Sequence, residues 1–266
     1  MNIMIKKMIE KFIKKRPIVM NVNYVSPNNI MSGKNIVIFG GTGEIGFEIA
    51  KKIRDAGGKV IICGRKNERN LGKEIDFELC DLSDCSFYLE YINKLSKKYG
   101  KISIVVNAQG ICPSVPFDDI TKISPKEFDD VININLKSVY FMNLASCKYF
   151  EVERINGHIL NIASTEGLKG GVVPYGLSKS GVVSLTKGLG KWMIDKNIVI
   201  NGIAPGATAT KMMGYEKGKS LYMDYIPSKR MSLPEEIANV ALLLVSDMGN
   251  NMCGEIVNVD GGESLH

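Results

Sequence analysis

Lys34-Asn35-Ile36-Val37-Ile38-Phe39-Gly40-Gly41-Thr42-Gly43-Glu44-Ile45-Gly46 sets a short apolar run directly before a glycine-rich turn. The run from Asn35 to Phe39 reads as a buried strand. Behind it, Gly41, Gly43 and Gly46 spell Gly-x-Gly-x-x-Gly and open a helix that continues through Ile49-Ala50 and Ile53. Glycines are needed there because the chain turns sharply and its backbone N–H groups must approach a pyrophosphate at the positive end of the helix dipole. Alone the motif is weak. Strand before and helix after are the context that gives it meaning.

Outward from this turn, short apolar runs alternate with helical stretches, the signature of a parallel sheet covered on both faces. The expected strands are Asn35 to Phe39, Val60 to Cys63, Ile75 to Leu79, Ile102 to Asn107, His158 to Ile162, Ile198 to Ile203 and Glu255 to Val259. Helices are expected around 44–56, 84–99, 125–152, 175–195 and 234–246. No internal repeat or second hydrophobic unit interrupts the series. The pattern predicts an α/β fold: a doubly wound parallel sheet, Rossmann-like, in one three-layer domain spanning 33–266.

Residues 1–32 read as an N-terminal amphipathic helix and linker. Met1, Met4, Ile5, Met8, Ile9, Phe12 and Ile13 share one helix face and lysines the other, up to Pro17. Such a helix either lies on an anionic membrane or packs on protein, and packing on its own or a neighbouring subunit is favoured. Six Lys/Arg against one Glu in residues 1–16 account for five of the formal +6 charge, so the body is nearly neutral. That excludes a phosphate-tracking nucleic-acid surface. No apolar run is long enough to span a bilayer and no secretory leader is evident, which points to the cytoplasm. The six cysteines form no Cys-x-x-Cys pair, and with two histidines they complete no metal-ligand spacing. Reduced thiols and no metal are expected.

The second strand ends at Gly64-Arg65, where many NAD enzymes carry an acidic residue on the ribose 2′-hydroxyl. Lacking that carboxylate and offering a guanidinium, this position favours NADP(H) over NAD(H).

Further along stands Tyr175-Gly176-Leu177-Ser178-Lys179, whose spacing puts phenol and ammonium on one helix face. Eleven residues before Tyr175, at a strand end, is Ser164 in Asn161-Ile162-Ala163-Ser164-Thr165-Glu166-Gly167. Asn135 lies upstream in Asn133-Ile134-Asn135-Leu136-Lys137, and Pro205-Gly206-Ala207-Thr208-Ala209-Thr210 lies downstream. In this order the set resembles the short-chain dehydrogenase/reductase family, from about Gly33 to the chain end. The resemblance implies a catalytic Ser164, Tyr175 and Lys179, with Asn135 completing a proton relay. It also implies a cofactor site of Gly40, Thr42, Gly43, Glu44, Ile45 and Gly46 in the turn, with Asp81-Leu82 on the adenine side. Asn107, Ala108, Gln109 and Gly110 fall below the adenine ribose; Pro205, Gly206, Thr208 and Thr210 fall near the nicotinamide, which Tyr175 and Lys179 also touch. A free tyrosine titrates near 10, so the Lys179 ammonium and the oxidised nicotinamide are expected to lower Tyr175.

Several residues depart from the family pattern. Phe39 replaces a Thr and Glu44 replaces the middle glycine of the turn, giving Gly40-x-x-Gly43-x-x-Gly46, a spacing more like that of the family's extended branch. Gln109 stands where Ala is common, and the Ser164 to Tyr175 interval is two residues shorter than in many relatives. Asp81 is also read as a helix cap, a role that can hold together with adenine recognition, His158 as a structural residue and Trp192 as core or subunit packing. Residues 211–230, with three methionines, three tyrosines and a proline, fall where the family places a substrate lid.

The expected activity is hydride transfer between a nicotinamide cofactor and a small carbonyl or secondary alcohol, in the manner of 3-oxoacyl reductase-like members. The glycine spacing keeps a sugar-nucleotide epimerase with tightly bound NAD as the alternative, and a non-catalytic dinucleotide sensor stands behind both. The family implies a homodimer or homotetramer.

Overall fold

The computed structural model describes residues 29–265 apart from 68, 70, 73 and 114–119. The amphipathic helix expected at 1–16 lies outside the described residues, as does most of the linker. The elements run β1 (Asn35–Phe39), α1 (Glu44–Asp55), β2 (Lys59–Gly64), β3 (Ile75–Leu79), α2 (Tyr88–Tyr99), β4 (Ile104–Asn107), α3 (Pro125–Ile132), α4 (Ser138–Glu153), β5 (Gly157–Ile162), α5 (Pro174–Met193), β6 (Ile198–Pro205), α6 (Pro234–Val245) and β7 (Ile256–Val259). All the strand pairs are parallel. Their order in the sheet is β3-β2-β1-β4-β5-β6-β7. Chain order reverses between β1 and β4, which opens a crevice beyond Phe39 and Asn107, the place where doubly wound sheets bind ligands.

Successive strand side chains point to opposite faces, and here both faces are covered. Ile36 and Ile38 join Ile49 and Ile53 of α1 and Ile237 and Leu244 of α6 in one core. Val37 and Phe39 join Tyr91, Ile92 and Leu95 of α2 and Met142 and Phe150 of α4 in the other. Each such aliphatic side chain, fully buried, contributes about 1.5–3 kcal/mol. The chain just before β1 belongs to this core as well: Ile30 and Met31 are buried, and the Met31 N–H donates to Ala56 O at 3.0 Å.

Two helices differ from the sequence expectation. The helix expected from 84 starts at Tyr88, because Asp81 Oδ1 accepts from the Ser83 N–H at 3.0 Å and Asp84 Oδ1 from the Ser86 N–H at 2.8 Å. These local side-chain bonds build turns in place of a first helical turn. The single helix expected over 125–152 is three pieces: α3, a five-residue π-helical segment at Asn133–Lys137, and α4. At its start, Ser124 and Glu127 form a reciprocal capping box ahead of Pro125. The wide π turn falls on Asn135, in keeping with the tendency of such turns to mark functional sites.

His158, the second residue of β5, is a buried ring whose Nε2 lies 3.0 Å from Asn250 Oδ1. Burial, then the Lys34 ammonium, holds its pKa below the ordinary value of 6.5. A histidine that protonates more readily in the unfolded chain stabilises the fold fully above that value and loses the contribution as pH falls below it. Thermal melts are expected to show Tm falling from about pH 6.5 toward 5, before carboxylates titrate, and His158→Gln should flatten that slope. An unchanged slope in the variant contradicts the assignment.

Candidate active site

Three elements meet at the C-terminal edge of β5. Ser164 follows the strand in extended conformation, and its side chain accepts from the Glu166 N–H at 3.2 Å, capping the 3₁₀ turn Thr165–Gly167. Gly167 seats that turn directly on α5, since a Cβ there would lie 2.6 Å from the Lys179 carbonyl carbon. Pro174 begins α5 at a position where its fixed φ and missing N–H suit a helix start. Tyr175 therefore sits in the first turn and Lys179 in the second. The Lys179 Nζ lies 5.7 Å from the Tyr175 ring centroid and donates to Ile162 O at 2.8 Å. A side-chain hydrogen bond joins Ser164 to the Tyr175 phenol.

Burial, with Cys112 and Glu166 adding to it, pushes the Tyr175 phenol up to about 12 despite the bond from Ser164. Burial also brings the buried Lys179 ammonium down to about 8. The expectation that Lys179 lowers the tyrosine is thereby corrected for the free protein. Desolvation sets the direction there, and the Lys179 ammonium is turned to the Ile162 carbonyl. A phenol that keeps its proton at neutrality, beside a serine hydroxyl, is arranged to donate that proton to a bound oxygen.

Asn135, wholly buried, spends its amide on the backbone: Nδ2 donates to Ile111 O at 2.9 Å and Oδ1 accepts from the Ile111 N–H at 2.8 Å. Nδ2 also lies 3.2 Å from Ser178 Oγ. Its side chain thus straps the 110–112 segment to α5. Gly110 fits between Asn135 and Lys179, as a Cβ there would stand 3.5 Å from Lys179 Nζ and 3.7 Å from Asn135 Oδ1.

A cavity of about 760 Å³ opens over these groups. Ser164, Tyr175, Lys179, Ile45, Ala108, Gln109, Gly110, Pro205, Gly206, Thr208 and Thr210 all line it, joined by Met212, Met213, Tyr225 and Glu263 from later in the chain. Asn107 does not reach it. Its Nδ2 donates to Asn161 Oδ1 at 2.9 Å, within a buried network that includes Asn143 and Thr186, so it braces β4 against β5.

The turn after β1 is a cradle of backbone. A Cβ on Gly46 would meet Gly40 O at 2.6 Å, one on Gly41 would meet Ile62 Cβ at 2.6 Å, and Gly40 holds φ +71°. Gly43 differs: its Cβ would meet protein only at Gly40 O, 3.2 Å away, leaving the other side open over the α1 N-terminus. Nearby, Gln109 is buried with Oε1 unpartnered, its Nε2 committed to Ser138 Oγ at 3.1 Å. An open backbone face and an orphaned buried acceptor fit a dinucleotide. At the far end Arg65 is exposed beyond β2, and Asp81 is exposed in its turn with Ser83, with half-buried Leu82 behind it.

The structure adds residues that sequence reading passed over. Arg69 Nε donates to Thr42 O at 3.0 Å and its guanidinium stacks 5.2 Å from the Phe47 ring centroid, bracing the turn. Lys169 bridges Glu166 at 3.1 Å and Glu263 at 3.0 Å at the cavity rim. In the sequence the second cluster's one local signal is Glu166 and Lys169, three residues apart just after Ser164.

A family model described as enoyl-(acyl carrier protein) reductase matches residues 41–264. The chain belongs to the short-chain dehydrogenase/reductase family. As such it is an NAD(P)-dependent oxidoreductase. It is 31% identical over 249 residues to the 3-oxoacyl-[acyl-carrier-protein] reductase FabG of Chlamydia trachomatis, covering 88% of this chain and 99% of that protein. It is 35% identical over 189 residues to the 2-dehydro-3-deoxy-D-gluconate 5-dehydrogenase of Dickeya dadantii, covering 68% and 73%. Among solved structures, ElxO with NADP bound is 28% identical with a TM-score of 0.79, covering 88% of this chain and 99% of that one. The 3-ketoacyl-(acyl-carrier-protein) reductase of Brucella melitensis, complexed with NADH, is 28% identical with a TM-score of 0.77, covering 88% and 100%. Among the described residues of this short-chain dehydrogenase/reductase, no helix is long and apolar enough to cross a membrane and no cluster of metal-ligating side chains occurs.

Proposed function

We propose that this protein is an NADP(H)-linked carbonyl reductase or alcohol dehydrogenase of the 3-oxoacyl reductase kind, with Tyr175 as proton donor and acceptor. The observation that carries the reading is the convergence of Ser164, Tyr175 and Lys179 on one cavity, beside a backbone cradle shaped for a dinucleotide. Bound nicotinamide supplies or takes up the hydride. Ser164 holds the substrate oxygen and balances the charge that grows on it; Tyr175 gives that oxygen its proton and takes it back in the reverse direction. Lys179 anchors the cofactor and shares the tyrosine's field, and Asn135 keeps the 110–112 wall in place.

The backbone of Gly40, Thr42, Gly43, Glu44, Ile45 and Gly46 would hold the pyrophosphate. Asp81 and Leu82 would flank the adenine, Ala108 to Gly110 its ribose, and Pro205, Gly206, Thr208 and Thr210 the nicotinamide. Asn107 serves that site from below by fixing the end of β4. ElxO holds NADP and the Brucella melitensis reductase NADH, and here Arg65 favours NADP(H). Arg65→Ala is expected to raise KM for NADPH about 10- to 100-fold, the worth of a charge-assisted bond, and to leave KM for NADH within about twofold. Equal effects on both cofactors contradict the preference.

A panel of ketones, acyl thioesters and sugars assayed with NADPH and NADH in parallel tests the reading. Net consumption of added NADPH with at least one class supports it; interconversion of substrates with no net cofactor change returns the epimerase. The enzyme is read as a cytoplasmic homodimer or homotetramer. Tyr140, Phe141 and Leu144 on α4 and Leu177 and Trp192 on α5 stay exposed in the single chain and offer the subunit contact.

A further inference from the structure

The carboxylate of Glu44 reaches across the molecule. Its Oε2 accepts from the backbone N–H of Lys211 at 2.7 Å, joining the first residue of α1 to a loop 167 residues away. Lys211 begins the 3₁₀ turn Lys211–Met213, closed by the Met213 N–H donating to Thr210 O at 3.0 Å and the Gly214 N–H to Lys211 O at 2.9 Å. Met212 and Met213 of that turn line the cavity, as does Thr210 before it. The far end of the same segment is secured independently. Arg230 forms a two-point pair with Glu236 of α6 at 2.7 and 2.8 Å, and Ile226 is buried.

Beside the backbone bonds that tie Ala207 and Ala209 to Ser232 at 2.9 Å, this carboxylate joins the 3₁₀ turn opening the 211–230 segment to the glycine-rich turn. The placement is physically favourable: a negative side chain in the first turn of a helix gains from the dipole, and an ionised acceptor makes a stronger bond to a backbone N–H than a neutral one. A glycine at position 44 offers no such acceptor.

We propose that Glu44 is a positioning residue that couples the cofactor turn to the substrate wall by holding Lys211 and so seating Met212 and Met213 over the cavity. The identity of the ligand in that cavity rests on the carbonyl-reductase reading; the latch itself does not. Removing the acceptor frees the start of the segment. The methionine wall then loosens, and substrate binding suffers more than the chemical step.

The test uses the full chain as wild type, Glu44→Ala, Glu44→Gln and Lys211→Pro. Proline at 211 keeps Glu44 but deletes the donor N–H, and Thr210 already has the extended backbone that a following proline requires. Limited tryptic cleavage after the exposed Lys217 and Lys219 is read against cleavage after Lys126 in α3. Glu44→Ala and Lys211→Pro are each expected to speed it about tenfold, and Glu44→Gln, which keeps a carbonyl acceptor, to stay within about twofold of wild type. With an accepted carbonyl substrate and saturating NADPH, KM in Lys211→Pro should rise at least about threefold while kcat changes less than about twofold. If wild type reduces no carbonyl, the functional reading fails while the cleavage ratios still decide the latch. The latch is overturned if Glu44→Ala and Lys211→Pro cleave at the wild-type rate, or if Glu44→Gln cleaves as fast as Glu44→Ala.

Discussion

Tyr175→Phe is expected to lower carbonyl turnover about a thousandfold or more, within the range attributed to a positioned proton donor, and to leave the NADPH dissociation constant within about threefold. The two halves of this expectation come from different parts of the site. The ring remains, so the packing of α5 against the Ser164 turn and the Lys179 bond to Ile162 O at 2.8 Å survive. The phenolic proton does not. Because burial holds that proton well above neutrality in wild type, with the phenol pushed up to about 12, the donor is fully loaded throughout the physiological range. The neighbouring groups do not replace it: the Ser164 hydroxyl is a far weaker acid than a phenol, and the Lys179 ammonium faces the Ile162 carbonyl. Single-turnover rates with saturating NADPH, beside fluorescence titration of the cofactor, measure the two halves separately. Full turnover in the variant refutes the role of Tyr175, and loss of cofactor binding alone would make it a structural residue.

Gly46→Ala is expected to weaken NADPH binding about a hundredfold, because the added Cβ strikes backbone rather than a movable side chain. It would lie 2.6 Å from Gly40 O and 3.0 Å from Gly41 Cα, so α1 must back away from the end of β1 and carry its free N–H groups with it. The same strain should lower Tm. Gly43→Ala separates the two consequences. Its Cβ meets protein only at 3.2 Å, so Tm should hold while cofactor binding still falls, the methyl group occupying the open side of the cradle. Equal tolerance of both substitutions would show that the turn does not face a pyrophosphate.

Much of the frame was legible in the residues. The strand runs are apolar on both faces, as a doubly covered parallel sheet requires, and the observed strands match them to within a residue or two at most ends. Ser164, Tyr175 and Lys179 were found from order and spacing, and the fold brings them to one cavity. What escaped depends on balances and distances that a local pattern does not carry. Residues 133–137 have an ordinary helical composition, so the π turn that places Asn135 was invisible. The motif locates Asn135 but not its side-chain bonds, because Ile111 lies 24 residues away. Glu44 looked like a defect in a glycine motif until Lys211 came beside it. The upward shift of the Tyr175 phenol in the free protein is hidden for a related reason: a neighbouring lysine is readable in sequence, whereas the desolvation that raises the phenol follows from packing.

The account stands on hydride moving between a nicotinamide and a carbonyl carbon beside Tyr175, and isotope transfer tests that most directly. Incubating the protein with NADPH deuterated at its transferable position and the carbonyl panel, then analysing the alcohols by mass spectrometry, should show one deuterium on the carbinol carbon, in alcohol that Tyr175→Phe forms about a thousandfold or more slowly than wild type. Alcohol formed without deuterium, or labelled alcohol formed equally fast by both proteins, would contradict it.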